Sequence, residues 1–313
     1  MHRQKKKGKN NFKWVLVALL AALIAAPNPT IIRVNVIDMD PIFFTLLRYV
    51  VVAVVCLPFV LIARKRLSRR GVISSLISGI FIATALTFFA LAIEQSQANY
   101  VVVLMLLTPI IFIALSSKIV HEKISHQAMA GLTIAMIGAF TVVAAPIAIA
   151  QDADIEFYPL ATGFMLIQSV AFACAMIWMR KANEAGTPIS SVIGLQSLMA
   201  VGLTSILFLL FGDTTRTNID AGVLASILYS GLVVALIARS LTVLAYERVG
   251  SVTVSGMSYI DTLVAFIIPI VILGEILSPT TVIGGIIILI GVYVIERRKR
   301  HVHKGAHHAL RHS

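Results

Sequence analysis

Charge and long polar stretches are what this chain has least of. Of its 313 residues only 13% are Asp, Glu, Lys or Arg, whereas 58% are hydrophobic and the mean hydropathy is +0.94. A soluble protein of this length has room for two ordinary domains, but it needs a charged shell that this composition does not supply. Disordered and collagenous classes are excluded by the same numbers. Cysteine is scarce as well. Cys56 and Cys174 are too few for a disulfide framework, and both fall inside apolar runs, where a small buried hydrophobe is the expected role. There is no Gly-x4-Gly-Lys-Ser/Thr loop, so direct use of ATP is not expected.

What is abundant is the apolar run. Stretches of about 20 residues recur, the length an α-helix needs to cross a hydrocarbon core of ~30 Å. Set against their polar interruptions, they predict ten helices, over about 14–34, 41–63, 72–93, 98–119, 126–147, 158–180, 188–211, 221–246, 252–273 and 279–296. Asp40-Pro41, Thr187-Pro188 and Ser278-Pro279 each put a capping side chain before a proline at the first helical position. Lys5, Lys6, Lys7 and Lys9 ahead of Trp14 imitate a signal peptide. The apolar run continues through Ile32 and is needed as the first helix, so cleavage is not expected.

The net charge of +12 then loses its obvious meaning. With the N-terminus in the cytoplasm, 22 of the 26 Lys and Arg fall in segments on that side, and the outer loops hold only Arg33 and Arg216. This asymmetry predicts a multi-pass protein of the plasma or inner membrane with both termini cytoplasmic. The expected partner of the positive charge is the lipid bilayer, not nucleic acid. The expected organisation is a basic cytoplasmic N-terminus over 1–13, a first five-helix unit over 14–147, an acidic outer loop over 148–157, a second five-helix unit over 158–296 and a basic, His-rich tail over 297–313. The tail's basic residues suit anionic lipid. No histidine pairs with cysteine or carboxylate at a metal-ligand spacing, so neither metal nor cofactor is expected.

The two units are related. A shift of 153 residues lays 91–138 on 244–291 with 11 of 48 positions identical. Leu91-Ala92-x-Glu94 meets Leu244-Ala245-x-Glu247, and Glu122, Ser125, Gly131 and Gly138 meet Glu275, Ser278, Gly284 and Gly291. Five helices is an odd number, so the second unit enters the membrane from the opposite side. Secondary transporters are often inverted repeats of this kind, with a substrate site near the midplane between the units. The repeated residues read as structural. The serines can cap the helices that come after them, the glutamates favour the positive end of a helix dipole, and glycines seven apart share a face that lets helices touch.

A family resemblance now rests on named residues. Pro27-Asn28-Pro29 breaks the first helix late, Arg48 comes seven residues after Pro41 in the second, Leu91-Ala92 ends the third, Pro109 lies in the fourth, and Gly131 and Gly138 come after Glu122. With two sets of five helices, the chain resembles the drug/metabolite transporter superfamily, in particular its EamA-type ten-helix permeases, over nearly its whole length. The resemblance implies an all-α integral membrane fold of two inverted five-helix repeats, and a permease. One departure stands in the ninth helix, where Thr262 occupies the position opposite Pro109 and Pro269 comes later, so the bend of that helix is expected elsewhere.

Ionisable side chains inside a membrane are costly and face the bundle interior or a partner. Topology leaves three such residues: Arg48, Arg239 and Asp261. Arg48 is either a contact to an anionic or zwitterionic substrate or an arginine that binds backbone carbonyls at the broken first helix. Asp261 is either a proton-coupling group and substrate ligand or the counter-charge of Arg239, which lies at similar depth. Ser251, Ser255, Ser258 and Thr262 put a hydroxyl stripe beside Asp261, although serines in helices also bond their own backbone. Asn28, Gln168, Gln196 and Tyr259 complete the substrate-binding candidates, with Tyr100 and Tyr229 as weaker ones; for several of them the alternative is a helix-to-helix hydrogen bond.

The leading expectation is therefore a secondary permease or exporter of small metabolites or drug-like molecules, working by alternating access, with a proton as the candidate coupling partner. One chain forms a complete pathway, and a homodimer remains open. The alternatives are a flippase for lipid-linked substrates on the same fold and, from another class, a membrane enzyme. An enzyme would need clustered His, Asp or Ser at one membrane face, which this sequence does not offer.

Overall fold

A computed structural model describes residues 7–108, 158–249, 264–275 and 279–291, with shorter pieces between 111 and 141 and at 293–294. Glu122, Ser251, Ser255, Ser258, Tyr259, Asp261, Thr262 and Ser278, together with the acidic loop 148–157 and the tail 297–313, lie outside the described residues.

Among the described residues all regular structure is helical. Among the described residues six helices are long and apolar enough to cross a membrane: Lys13–Val36, Pro41–Ala63, Arg69–Glu94, Pro159–Glu184, Ile189–Phe211 and Ala221–Thr242. Shorter helices are Ala98–Met105, Met129–Gly138, Val264–Leu273 and Pro279–Gly291. Large apolar side chains face outward, with Ile62 and Leu209 each 82% exposed and Val271 76% exposed. Water would penalise such a belt; hydrocarbon does not.

The first span is two helices, α1 (Lys7–Ala25) and α2 (Asn28–Val36), divided at Pro27. Pro27 and Pro29 carry no N–H, so two carbonyls of the preceding turn lose their helical partners. The next helix, α3 (Pro41–Ala63), is capped as its sequence requires, with the Asp40 carboxylate accepting from the Phe43 N–H at 2.8 Å. Ser68 caps α4 (Arg69–Glu94) through the Gly71 N–H. Thr187 does not cap the helix after it. That helix begins at Ile189, its N-terminus has no side-chain cap, and the buried Thr187 hydroxyl has no hydrogen-bond partner. The reason is packing, because Thr187 is pressed against the first turn of α4 at Gly71.

Helices of the two sequence halves interleave. We number the later ones α5 (Ala98–Met105), α6 (Met129–Gly138), α7 (Pro159–Glu184) and α8 (Ile189–Phe211). α4 packs along α7 and α8, and α3 along α8. At their centre the Ser78 hydroxyl donates to the Ala175 carbonyl at 2.6 Å and accepts from Gln196 Nε2 at 2.6 Å. Buried Cys56 packs in a small apolar cluster with Val52, Ile193 and Ala235.

Two expectations are corrected. The eighth span, expected as one helix over about 221–246, is α9 (Ala221–Leu228), a π-helical stretch over Tyr229–Ala238 and α10 (Arg239–Val249). π winding rotates the subsequent turns relative to those of a continuous α-helix. Arg33, expected in an outer loop, lies in α2 and donates to the carbonyls of Ile93 and Glu94 at 2.8 and 2.9 Å, where it satisfies the orphan C-terminal carbonyls of α4.

The chain closes with α11 (Val264–Leu273) and α12 (Pro279–Gly291). Gly131, Gly138, Gly284 and Gly291 are all buried. At Gly138 a Cβ would lie 2.6 Å from the Ile288 backbone nitrogen and 2.7 Å from the Gly284 carbonyl oxygen. Backbone meets backbone there, between α6 and α12. Gly138→Ala is therefore expected to force the two helices apart and to destabilise the protein by about 1–3 kcal/mol, the usual range for overpacking. Thermal unfolding in detergent checks this, and an unchanged midpoint would show that the contact is not tight.

Candidate functional site

The cavity of the bundle is assembled from interruptions in its helices. Ala25, Asn28 and Pro29 enter from the α1–α2 break, and Val234, Ala235 and Ala238 from the π stretch. These two irregular segments meet directly. The Tyr229 hydroxyl donates to the Ile24 carbonyl at the break, and the Ser230 hydroxyl donates to Asn28 Oδ1 at 2.8 Å. Gly231 then admits the backbone of α3, since a Cβ there would lie 3.1 Å from the Arg48 carbonyl oxygen. Sequence reasoning missed the π stretch. The signal available was Tyr229-Ser230-Gly231, a polar and small-residue interruption inside an apolar span.

The cavity encloses about 250 Å³. Arg48, Arg239, Asn28 and Gln168 supply most of its polarity, while Leu86, Phe89, Val102, Met105 and Phe172 supply apolar wall. Ala265 of α11 closes one side. Both halves of the sequence therefore contribute.

Arg48 is 5% exposed, and its Nε has no hydrogen-bond partner. Arg239 donates to the Met176 sulfur at 3.8 Å and sits over the Phe172 ring at 5.9 Å from its centroid, within the range of a cation–π contact. Gln168 accepts from the Ser169 hydroxyl at 3.2 Å, and that hydroxyl also pairs with Thr108 at 3.1 Å.

Four of the sequence candidates thus meet at one cavity: Asn28, Arg48, Gln168 and Arg239. Gln196 is not among its lining residues. It is 2% exposed and bonded to Ser78 in the α4–α8 contact, a helix-to-helix bond rather than a wall position. Tyr100 and Tyr229 are likewise engaged, with Thr162 and with Ile24. Ser258, Tyr259 and Asp261 lie outside the described residues.

Glu275 has a role the sequence did not disclose. Its two carboxylate oxygens accept from the backbone N–H groups of Ala98 and Asn99 at 2.7 and 2.9 Å. These are the first residues of α5, whose N-cap Gln97 gives no side-chain cap bond. The glutamate thus meets the positive end of a helix 177 residues away, not that of the helix next in sequence.

Comparisons with known proteins agree with this architecture. The sequence model of a family described as EamA-like transporter family matches two stretches, residues 12–144 and 160–297. A Salmonella typhimurium protein named "Probable amino-acid metabolite efflux pump" is 24% identical over 299 residues, spanning 89% of this chain and 93% of that one. A solved structure described only as a crystal structure of protein superposes with a TM-score of 0.56 at 19% identity, over 91% of this chain and 98% of that one. That likeness concerns the fold.

Proposed function

The chain belongs to the EamA-like transporter family, and on that premise we propose that it is a secondary exporter of small metabolites. In this reading ten membrane helices form two inverted five-helix repeats, over 14–147 and 158–296, with both termini in the cytoplasm. The substrate crosses by alternating access through the cavity between the repeats. It is a transporter and not an enzyme, as its family is.

The observation that carries the reading is the cavity, walled by both halves and bordered by a broken helix and a π stretch. Irregular backbone at membrane depth is tolerated where it lines such a space. Volume supports the substrate class: about 250 Å³ falls below the ~300–1,000 Å³ of clefts that hold drug-sized ligands. The efflux direction and the metabolite class are taken from the named relative.

Proton coupling through Asp261 is part of the proposal. Asp261 stands four residues before Ala265, which lines the cavity. Its repeat mate is Thr108, which pairs with Ser169 beside the cavity residue Gln168. In reconstituted vesicles an imposed pH gradient is expected to drive flux of an exported metabolite, identified by comparing metabolites inside and outside cells with and without the protein. Asp261→Asn is expected to abolish the gradient's effect. Flux indifferent to the gradient, or unchanged in Asp261→Asn, would remove the proton from the mechanism.

A further inference from the structure

We infer that the cavity takes small organic anions, with a carboxylate held by Arg48 and Arg239 and an apolar remainder against Leu86, Phe89 and Phe172. This rests on the transport reading of the same cavity and names its substrate class.

The argument begins with charge. Two guanidiniums line one small cavity deep in an apolar bundle. Among the described residues neither has a carboxylate partner. Arg48 keeps an unpartnered Nε, and the polar contact of Arg239 is a thioether sulfur. The carboxylates whose side chains are described lie at helix ends and in loops. Asp40 and Asp220 cap helices, Glu94 pairs with Arg216, Glu184 with Arg180, and Glu275 holds the start of α5. Asp213 bonds Thr215, and Asp38 is exposed on the surface. A buried cation without a counter-charge is strongly disfavoured, and removing one partner of a buried pair is what makes such a site unstable. A diffusible anion is the partner that fits.

The rest of the wall has the same sign. Asn28 and Gln168 accept hydroxyls through their carbonyl oxygens, from Ser230 and Ser169, which leaves their amide N–H groups as donors. Asn28 and Pro29 are also the first two residues of α2, so the positive end of a half-helix dipole borders the cavity. Carboxylate suits this set best, because a guanidinium fork binds it through two parallel bonds. The aromatic and aliphatic wall then favours an acid with an apolar body. Two guanidiniums beside one apolar wall favour an acid over an amine or an amide of the same size.

The test is equilibrium binding of radiolabelled phenylacetate to the purified full-length protein in lipid nanodiscs. Phenylacetate is expected to bind. Phenylacetamide, phenethylamine and inorganic phosphate are expected to compete at least about tenfold less well than unlabelled phenylacetate. Arg48→Gln and Arg239→Gln are each expected to weaken binding at least about tenfold, with Arg48→Lys keeping part of it, in protein that stays monodisperse. The competitor series uses the unaltered chain, so a variant that fails to fold does not spoil the test. The inference is overturned if the amide, the amine or phosphate competes as well as the acid, or if both glutamine variants bind normally. Charge-selective binding without transport in vesicles would count against the exporter reading alone. Transport of amines untouched by Arg48→Gln and Arg239→Gln would count against the anion site alone.

Discussion

Glu275→Ala is expected to lower the thermal midpoint of the detergent-solubilised protein by several degrees. One side chain here satisfies two backbone N–H groups of another helix, Ala98 at 2.7 Å and Asn99 at 2.9 Å. Hydrogen bonds to a charged group are worth ~1.5–3 kcal/mol each when lost. The carboxylate is half-buried, so solvent replaces part of that, and a total of roughly 3 kcal/mol is expected. Glu275→Gln keeps one oxygen acceptor but loses the charge and the second bond, so its midpoint is expected to be intermediate. A midpoint for Glu275→Ala within about 1 °C of the unaltered protein would mean that α5 is held by packing alone. The 153-residue shift lays Glu122 on Glu275, and Ser251-Val252 on Ala98-Asn99. Glu122→Ala is therefore expected to cost a similar amount, and a neutral Glu122→Ala would break the equivalence of the two halves.

The spans were legible because the bilayer imposes a length on them. Pro41–Ala63 and Ile189–Phe211 fall within about a residue of their expected limits. The cap at Asp40 was legible for a similar reason, since an acid before a helix-opening proline has one strong local use. What the sequence could not disclose is anything decided by a neighbour. Thr187 has the same local signature as Asp40, yet Gly71 lets α4 press against it and no cap bond forms. Gln196 and Gln168 are both amides in apolar helices, and only the packing of α4 distinguishes a helix-bonding side chain from a cavity wall. The π stretch is likewise a tertiary event, since its value lies in the Tyr229–Ile24 and Ser230–Asn28 bonds to a different helix. Arg48 and Arg239 were found by a different logic, that of charges left over once topology had accounted for the rest, and that subtraction reached the cavity without any knowledge of contacts.

Arg216→Ala is expected to loosen one end of the bundle and to change which side of the membrane reaches the cavity. The loop between α8 and α9 carries Arg216, whose guanidinium pairs with Glu94 at 2.6 Å and donates to the carbonyls of Val36 and Ile37 at 2.7 and 2.9 Å. The same loop is tied at the backbone: the Asp40 N–H donates to the Arg216 carbonyl at 2.9 Å, and the Asp213 N–H donates to the Asp40 carboxylate at 3.0 Å. Arg216 thus links the second half of the sequence to the ends of α2 and α4 in the first. Asp213 adds its charge to this tie: the Thr215 hydroxyl and then its N–H hold that carboxyl below its ordinary value, so the loop keeps its charge pattern until pH falls well into the acidic range. Under the proposed topology this end faces outward, and under the proposed alternating access these bonds hold it closed. The pair is part-exposed, with 31% and 17% side-chain exposure, so its loss together with the bonds to Val36 and Ile37 is expected to shift the balance of conformers by about 2 kcal/mol, roughly 30-fold, rather than to unfold the chain. The measurement is labelling of a cysteine placed at the cavity wall, Met105→Cys in a background lacking Cys56 and Cys174, by a membrane-impermeant thiol reagent added to whole cells. Arg216→Ala and Glu94→Gln are both expected to raise the labelling rate, with the double variant no faster than the stronger single one, because the two residues share one bond. Labelling unchanged by either substitution would mean that the cavity is closed at this end by helix packing and that Arg216 serves only to hold its own loop.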